Sequence, residues 1–115
     1  MKKMLVAAMV AMALPAASAA HHGWSSYDSS KVLKVTGKFK KVSWTNPHGS
    51  ATMDWKGKQW TVVLAPTGRM EARGLNPAMI APGKQVKLVA YPRRDGTAEM
   101  RAERITAGGK TVELR

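Results

Sequence analysis

Alternation of apolar and polar residues with a period of two dominates the chain after residue 30, and it restricts the fold more than any other feature. Leu33, Val35, Gly37 and Phe39 alternate with Lys34, Thr36, Lys38 and Lys40. That is the pattern of a strand with one buried face and a lysine-rich outer face. The apolar phase then shifts to Val42 and Trp44, which predicts a bulge near Lys40-Lys41. Ala51, Met53 and Trp55 alternate with Thr52 and Asp54, and Trp60, Val62 and Leu64 with Gln59, Thr61 and Val63. Lys56-Gly57-Lys58 joins these two runs as a tight hairpin turn.

The pattern changes at Ala65. Pro66-Thr67 starts a short helix through Arg69 to Arg73, with Gly74 at its C-terminal end. Asn76-Pro77 starts a second helical piece, with proline in the first turn. Alternation returns in Val86, Leu88 and Ala90, then in Met100 to Ile105, and Gly108-Gly109 turns the chain into Thr111 to Leu114. Three strands, a short helical connection and two or three further strands predict a mostly β fold. The expected architecture is a small five- to six-stranded OB-like barrel with its helical connection after the third strand. Hydrophobic residues make up 44% of the chain, enough for a packed core. There are no cysteines, which excludes disulfides, thiolate metal sites and cysteine nucleophiles.

The start of the chain reads as an address. Met1-Lys2-Lys3 is basic, Met4 to Leu14 is wholly apolar, and Pro15 is followed by Ala16-Ala17-Ser18-Ala19-Ala20. This is the order of a cleavable secretory signal peptide over residues 1–20. The apolar run falls short of the roughly 20 residues that a membrane span needs. The expected destination is the periplasm, with no transmembrane segment in the mature chain. Residues 21–30 are polar and aperiodic and read as an extended or loosely packed N-terminal arm. Residues 31–115 form the single β-barrel domain.

Several segments carry a resemblance. HHGWSSYD after the leader, VTGKFKKVSWTNPHG, APGKQVKLVAYPRRDG and MRAERITAGGKTVEL are similar to a family of small secreted bacterial proteins of unknown function. The resemblance spans essentially the whole mature chain. It implies a periplasmic β-barrel-like domain and no particular activity.

All three histidines fall in the most distinctive segments. His21 and His22 open the mature chain, and His48 follows Asn46-Pro47 in a turn. Imidazole is the commonest metal ligand and suits copper, nickel and zinc. Cleavage before His21 puts an α-amine and an imidazole on one residue, an arrangement that resembles the histidine brace of copper proteins. Cleavage before Ala20 gives Ala-His-His, whose third residue closes a square-planar site through the amine and two deprotonated amides. The expected function is therefore binding of a transition metal, copper first, through His21, His22 and His48.

Charge supports a second expectation. The chain has 19 Lys+Arg against 7 Asp+Glu, a formal net charge of +12. Arg93 and Arg94 on a loop, with Lys38 and Lys40 on a strand face, are candidates for binding anionic lipid, glycan or an acidic envelope protein. Lys84, Lys87, Arg101 and Arg104 count only towards the general excess. Secretion makes nucleic acid an unexpected partner. No G-x-S-x-G elbow, phosphate loop or H-E-x-x-H motif is present, so a non-enzymatic protein is expected. Of the four tryptophans, Trp55 and Trp60 should pair on the hairpin and Trp44 should pack in the core. Trp24 is the candidate anchor of the arm.

Overall fold

The computed structural model describes residues 23–115. Its strands are β1 (Leu33–Lys38), β2 (Lys41–Ser43), β3 (Ser50–Trp55), β4 (Lys58–Val63), β5 (Gln85–Pro92), β6 (Glu99–Ala107) and β7 (Lys110–Glu113). Between β4 and β5 stand the helix α1 (Thr67–Ala72) and a 3-10 turn (Pro77–Ile80). All seven strands belong to one sheet, in the order β1-β5-β6-β4-β3-β2 with β7 on β6.

The sheet curls because β1 and β2 are two halves of one bent stretch. β1 pairs antiparallel with β5 along its whole length, whereas β2 pairs with β3. The chain changes partners at the phase shift seen in the sequence. Phe39 accepts from the amide of Gly83, and Lys40 donates to Thr52. The shift is thus a strand break at Phe39–Lys40 that carries the chain from one edge of the sheet to the other, rather than a simple bulge. Counted as one strand, 33–43 borders both β5 and β3. β4 and β6 then close the far side as a parallel pair. The result is a partly open, OB-like barrel, with α1 between its third and fourth strands.

Local chemistry sets the joints. Lys56 (φ 51) and Gly57 (φ 81) both take positive φ between Trp55 and Lys58, the geometry of a two-residue hairpin turn that follows strand twist. Asn76 accepts from the Met79 amide and caps the 3-10 turn. Gly37 lies close against the core: a Cβ there would come 2.8 Å from the Met53 methyl, which would have to move aside.

The core is the inner face of the barrel. Val35, Phe39, Met53, Val62, Leu88, Met100 and Ile105 are fully buried, and Met70, Leu75 and Ile80 plug it from the helical connection. Trp55 and Trp60 meet edge to face, 5.9 Å between centroids. They are diagonal neighbours, since Trp60 pairs directly with Met53 and Trp55 with Lys58. Trp44 is only half-buried; its indole packs on the core and donates to Glu71. Among the described residues no helix is long and apolar enough to cross a membrane.

Candidate functional site at the arm-bearing end of the barrel

The arm is docked rather than loose. Trp24–Ser26 form one 3-10 turn, and Tyr27 makes an isolated bridge with Arg93 at the end of β5. The Asp28 amide donates to Pro92, and the Arg94 amide to Ser26. The Arg94 side chain adds a bond from Nε to Ser25 O, 3.0 Å. Tyr27 is buried, and its hydroxyl donates to Glu99. Burial pushes its pKa up from the ordinary 10.0, and the hydrogen bond and negative charge of Glu99 push it further. Arg93 Nη1 donates to the same Glu99 oxygen, Oε2, at 3.4 Å, and its Nε stands 3.4 Å from Asp95 as an ion pair without hydrogen-bond geometry.

Trp24 stands one step further along the arm. Its ring meets Tyr91 edge-on at 6.2 Å. The guanidinium carbons of Arg101 and Arg115 lie over it at 4.4 and 4.5 Å. Cation–π contacts of this kind tie the arm to β6 and to the chain beyond β7.

The turn that carries His48 leads into β3, two strands from β6 in the sheet. The ladder makes the link: Ser50, two residues after His48, pairs with Val63, and Val63 pairs with Arg101. The two strand steps between Ser50 and Arg101 amount to about 10 Å. The turn holding His48 is fixed to α1. Thr67 donates to the Asn46 side chain at 3.1 Å, and Trp44 Nε1 to Glu71 at 3.1 Å. Gly49 exchanges backbone bonds with Leu64 and Ala65, and it lies so close to Met70 that a Cβ would sit 2.9 Å from the methyl. His48 is half-buried, with Nδ1 3.1 Å from Gly49 O. The tautomer that donates this bond leaves Nε2 with the lone pair a metal takes.

Of the predicted metal ligands, only His48 is placed; His21 and His22 lie outside the described residues. Among the described residues no three His, Cys, Asp or Glu side chains gather around a point. The predicted anion set is divided. Arg93 is paired with Glu99 and Asp95, and Arg94 binds the arm. Lys40 is held by Asp54 and Gln59. Lys38 pairs in the ladder with Gln85, at the opposite end of β5 from Arg93, roughly 25 Å away at strand rise. These four cations do not form one patch.

The residues that sequence reasoning passed over are Arg101 and Tyr27. Alternation assigns Arg101 to the outer face, between inward Met100 and Ala102. It does not say that aromatic side chains cover that point. Tyr27 sits in an aperiodic stretch, where burial leaves no signature.

No curated protein matches the chain. Residues 8–102 match one family along most of the sequence, including the arm, the His48 turn and the barrel as far as Ala102 in β6. The chain belongs to DUF6152, a family of unknown function.

Proposed function

We propose that this is a periplasmic, non-enzymatic protein that binds a transition metal, copper first, with the N-terminal residue, His21, His22 and His48 as its donors. Export follows from the leader pattern of residues 1–20. The observation that carries the metal reading is the docking of Trp24 over Arg101, two strand steps from Ser50 in the strand that follows His48. From Trp24 back to His21 is three residues, a reach of at most about 10 Å. The bond between His48 Nδ1 and Gly49 O supports the same reading, because liganding histidines commonly give their second ring proton to a carbonyl.

Two guanidiniums beside the arm oppose a divalent cation, so the donors must be strong. Amine and imidazole nitrogens on a borderline-soft ion meet that need best for copper, with nickel and zinc behind it. A binding role is also favoured by the state of the carboxylates. Each is already engaged by a cation, a hydroxyl or an indole, which leaves no obvious acid–base partner for His48.

The test is Cu(II) competition against a weak chelator, with protein exported and processed in bacteria. His48→Ala and an acetylated N-terminus should each lower affinity at least tenfold, and moderate salt should leave it unchanged. Affinity should also fall below about pH 6, where imidazoles take up protons. Wild-type affinity in both altered forms contradicts the shared site.

A further inference from the structure

We propose that Arg101, with Arg69 and Arg115 beside it, binds a tetrahedral oxyanion of the phosphate class at the foot of the arm. This site needs no metal and none of the three histidines.

The chain has 7 Asp+Glu, and each has a partner other than Arg101. Asp28 holds Ser30 and Lys31. Asp54 holds Lys40, and Glu71 holds Trp44. Asp95 holds Thr97 and Arg93, and Glu99 holds Tyr27 and Arg93. Glu103 holds Tyr91 and Arg115, and Glu113 holds Arg104. Residues 1–22 contain no Asp or Glu. No side-chain carboxylate anywhere in the chain is therefore left over for Arg101.

Arg101 is nevertheless the arginine most in need of one. It is half-buried, and its Nε is fully buried with no hydrogen-bond partner among the described residues. A guanidinium stays charged at any ordinary pH, and withdrawing it from water without a counter-charge is costly. Burial pulls its pKa below the usual arginine value; Tyr27 acts against this, and the charges of Arg69 and Arg115 add to it.

The aromatic rings satisfy only part of the group. Trp24 lies at 4.4 Å and Tyr27 at 6.0 Å from its guanidinium carbon. Rings interact with the face of a guanidinium, whereas its N–H bonds lie in the plane, and no hydrogen bond among the described residues uses those of Arg101; its terminal nitrogens are the ones that would meet an oxyanion. Arg115 lies over the same Trp24 ring at 4.5 Å. Arg69 Nη1 donates to the carbonyl of Leu114, next to Arg115, at 3.0 Å, which leaves four of its N–H donors unused by that bond. Arg101 and Arg115 share one ring, and Arg69 is bonded next to Arg115, a cationic neighbourhood that fits an ion of more than one negative charge. Phosphate, with a second pKa near 6, carries nearly two charges at neutral pH.

The test uses metal-free protein treated with EDTA, so that it is separate from the copper reading. Inorganic phosphate is titrated at constant ionic strength while the Arg101 Nε–Hε resonance and the melting temperature are followed. The expected result is a saturable shift of that resonance and a rise in melting temperature. Sodium chloride at equal ionic strength should give neither. Arg101→Gln should weaken the phosphate response at least tenfold. Arg69→Gln, on an exposed helix and outside the Trp24 contact, should weaken it with the fold intact. The proposal is overturned if chloride reproduces the response, or if both variants respond to phosphate as the wild type does.

Discussion

Tyr27 joins two parts of the molecule through a single hydroxyl. Its ring is buried where the arm meets the barrel, and its O–H donates to a carboxylate that Arg93 also holds. Tyr27→Phe keeps the ring and removes the donor, so it should cost about 1–2 kcal/mol in urea unfolding. The phenol also sets an alkaline limit. Its pKa in the folded protein is raised above the ordinary 10.0, first by burial and then by Glu99. Between those two values the unfolded chain has released a proton that the folded chain retains. Stability from this group is therefore complete below about pH 10 and declines as pH rises beyond it. Tyr27→Phe should make that decline shallower. A slope equal to wild type would remove Tyr27 from the account. None of this could be read from HHGWSSYDSS, because a short polar stretch has no period to reveal which residue is covered. Arg101 was hidden for a related reason: alternation gives the direction of a side chain, and only tertiary structure gives its neighbours.

At the scale of elements, legibility follows how local the cause is. Turns and starts were legible because one or two residues dictate them. Lys56-Gly57 makes the hairpin, and Asn76-Pro77 opens the 3-10 turn. The helix after Pro66 was legible too, ending before Gly74, whose φ is +95. The division of 33–43 into two strands with different partners was visible only as a phase shift, since partner choice depends on residues far along the chain. α1 shows how an element with few residues controls a site. Only Met70 of this helix is fully buried, yet the helix anchors Trp44 and Asn46, on either side of Thr45 in the turn that carries His48. Met70→Ala should cost about 2–5 kcal/mol by the cavity it leaves. It should also loosen the His48 turn, read as broadened or shifted Nε2 and Cε1–H resonances of His48. A stable variant with an unchanged histidine spectrum would show that α1 does not govern the turn.

For the whole molecule, closure of the barrel brings the chemistry together. The parallel pairing of β4 with β6 sets Val63 beside Arg101. The bend at Phe39–Lys40 lets one stretch of chain border both β5 and β3. These two long-range choices set the strand that follows the His48 turn two steps from Arg101, over which the arm docks, and they leave the Lys38 end remote from Arg93. The barrel class was legible from the strand count and the position of the helical connection. The grouping of residues around Arg101 was not, because it depends on register across four strands. The most direct measurement is native mass spectrometry of the exported, processed protein with one equivalent of Cu(II). The account predicts one copper retained against a weak chelator by the wild type, and none by His48→Ala. A metal-free wild type, or equal occupancy in the variant, would contradict it.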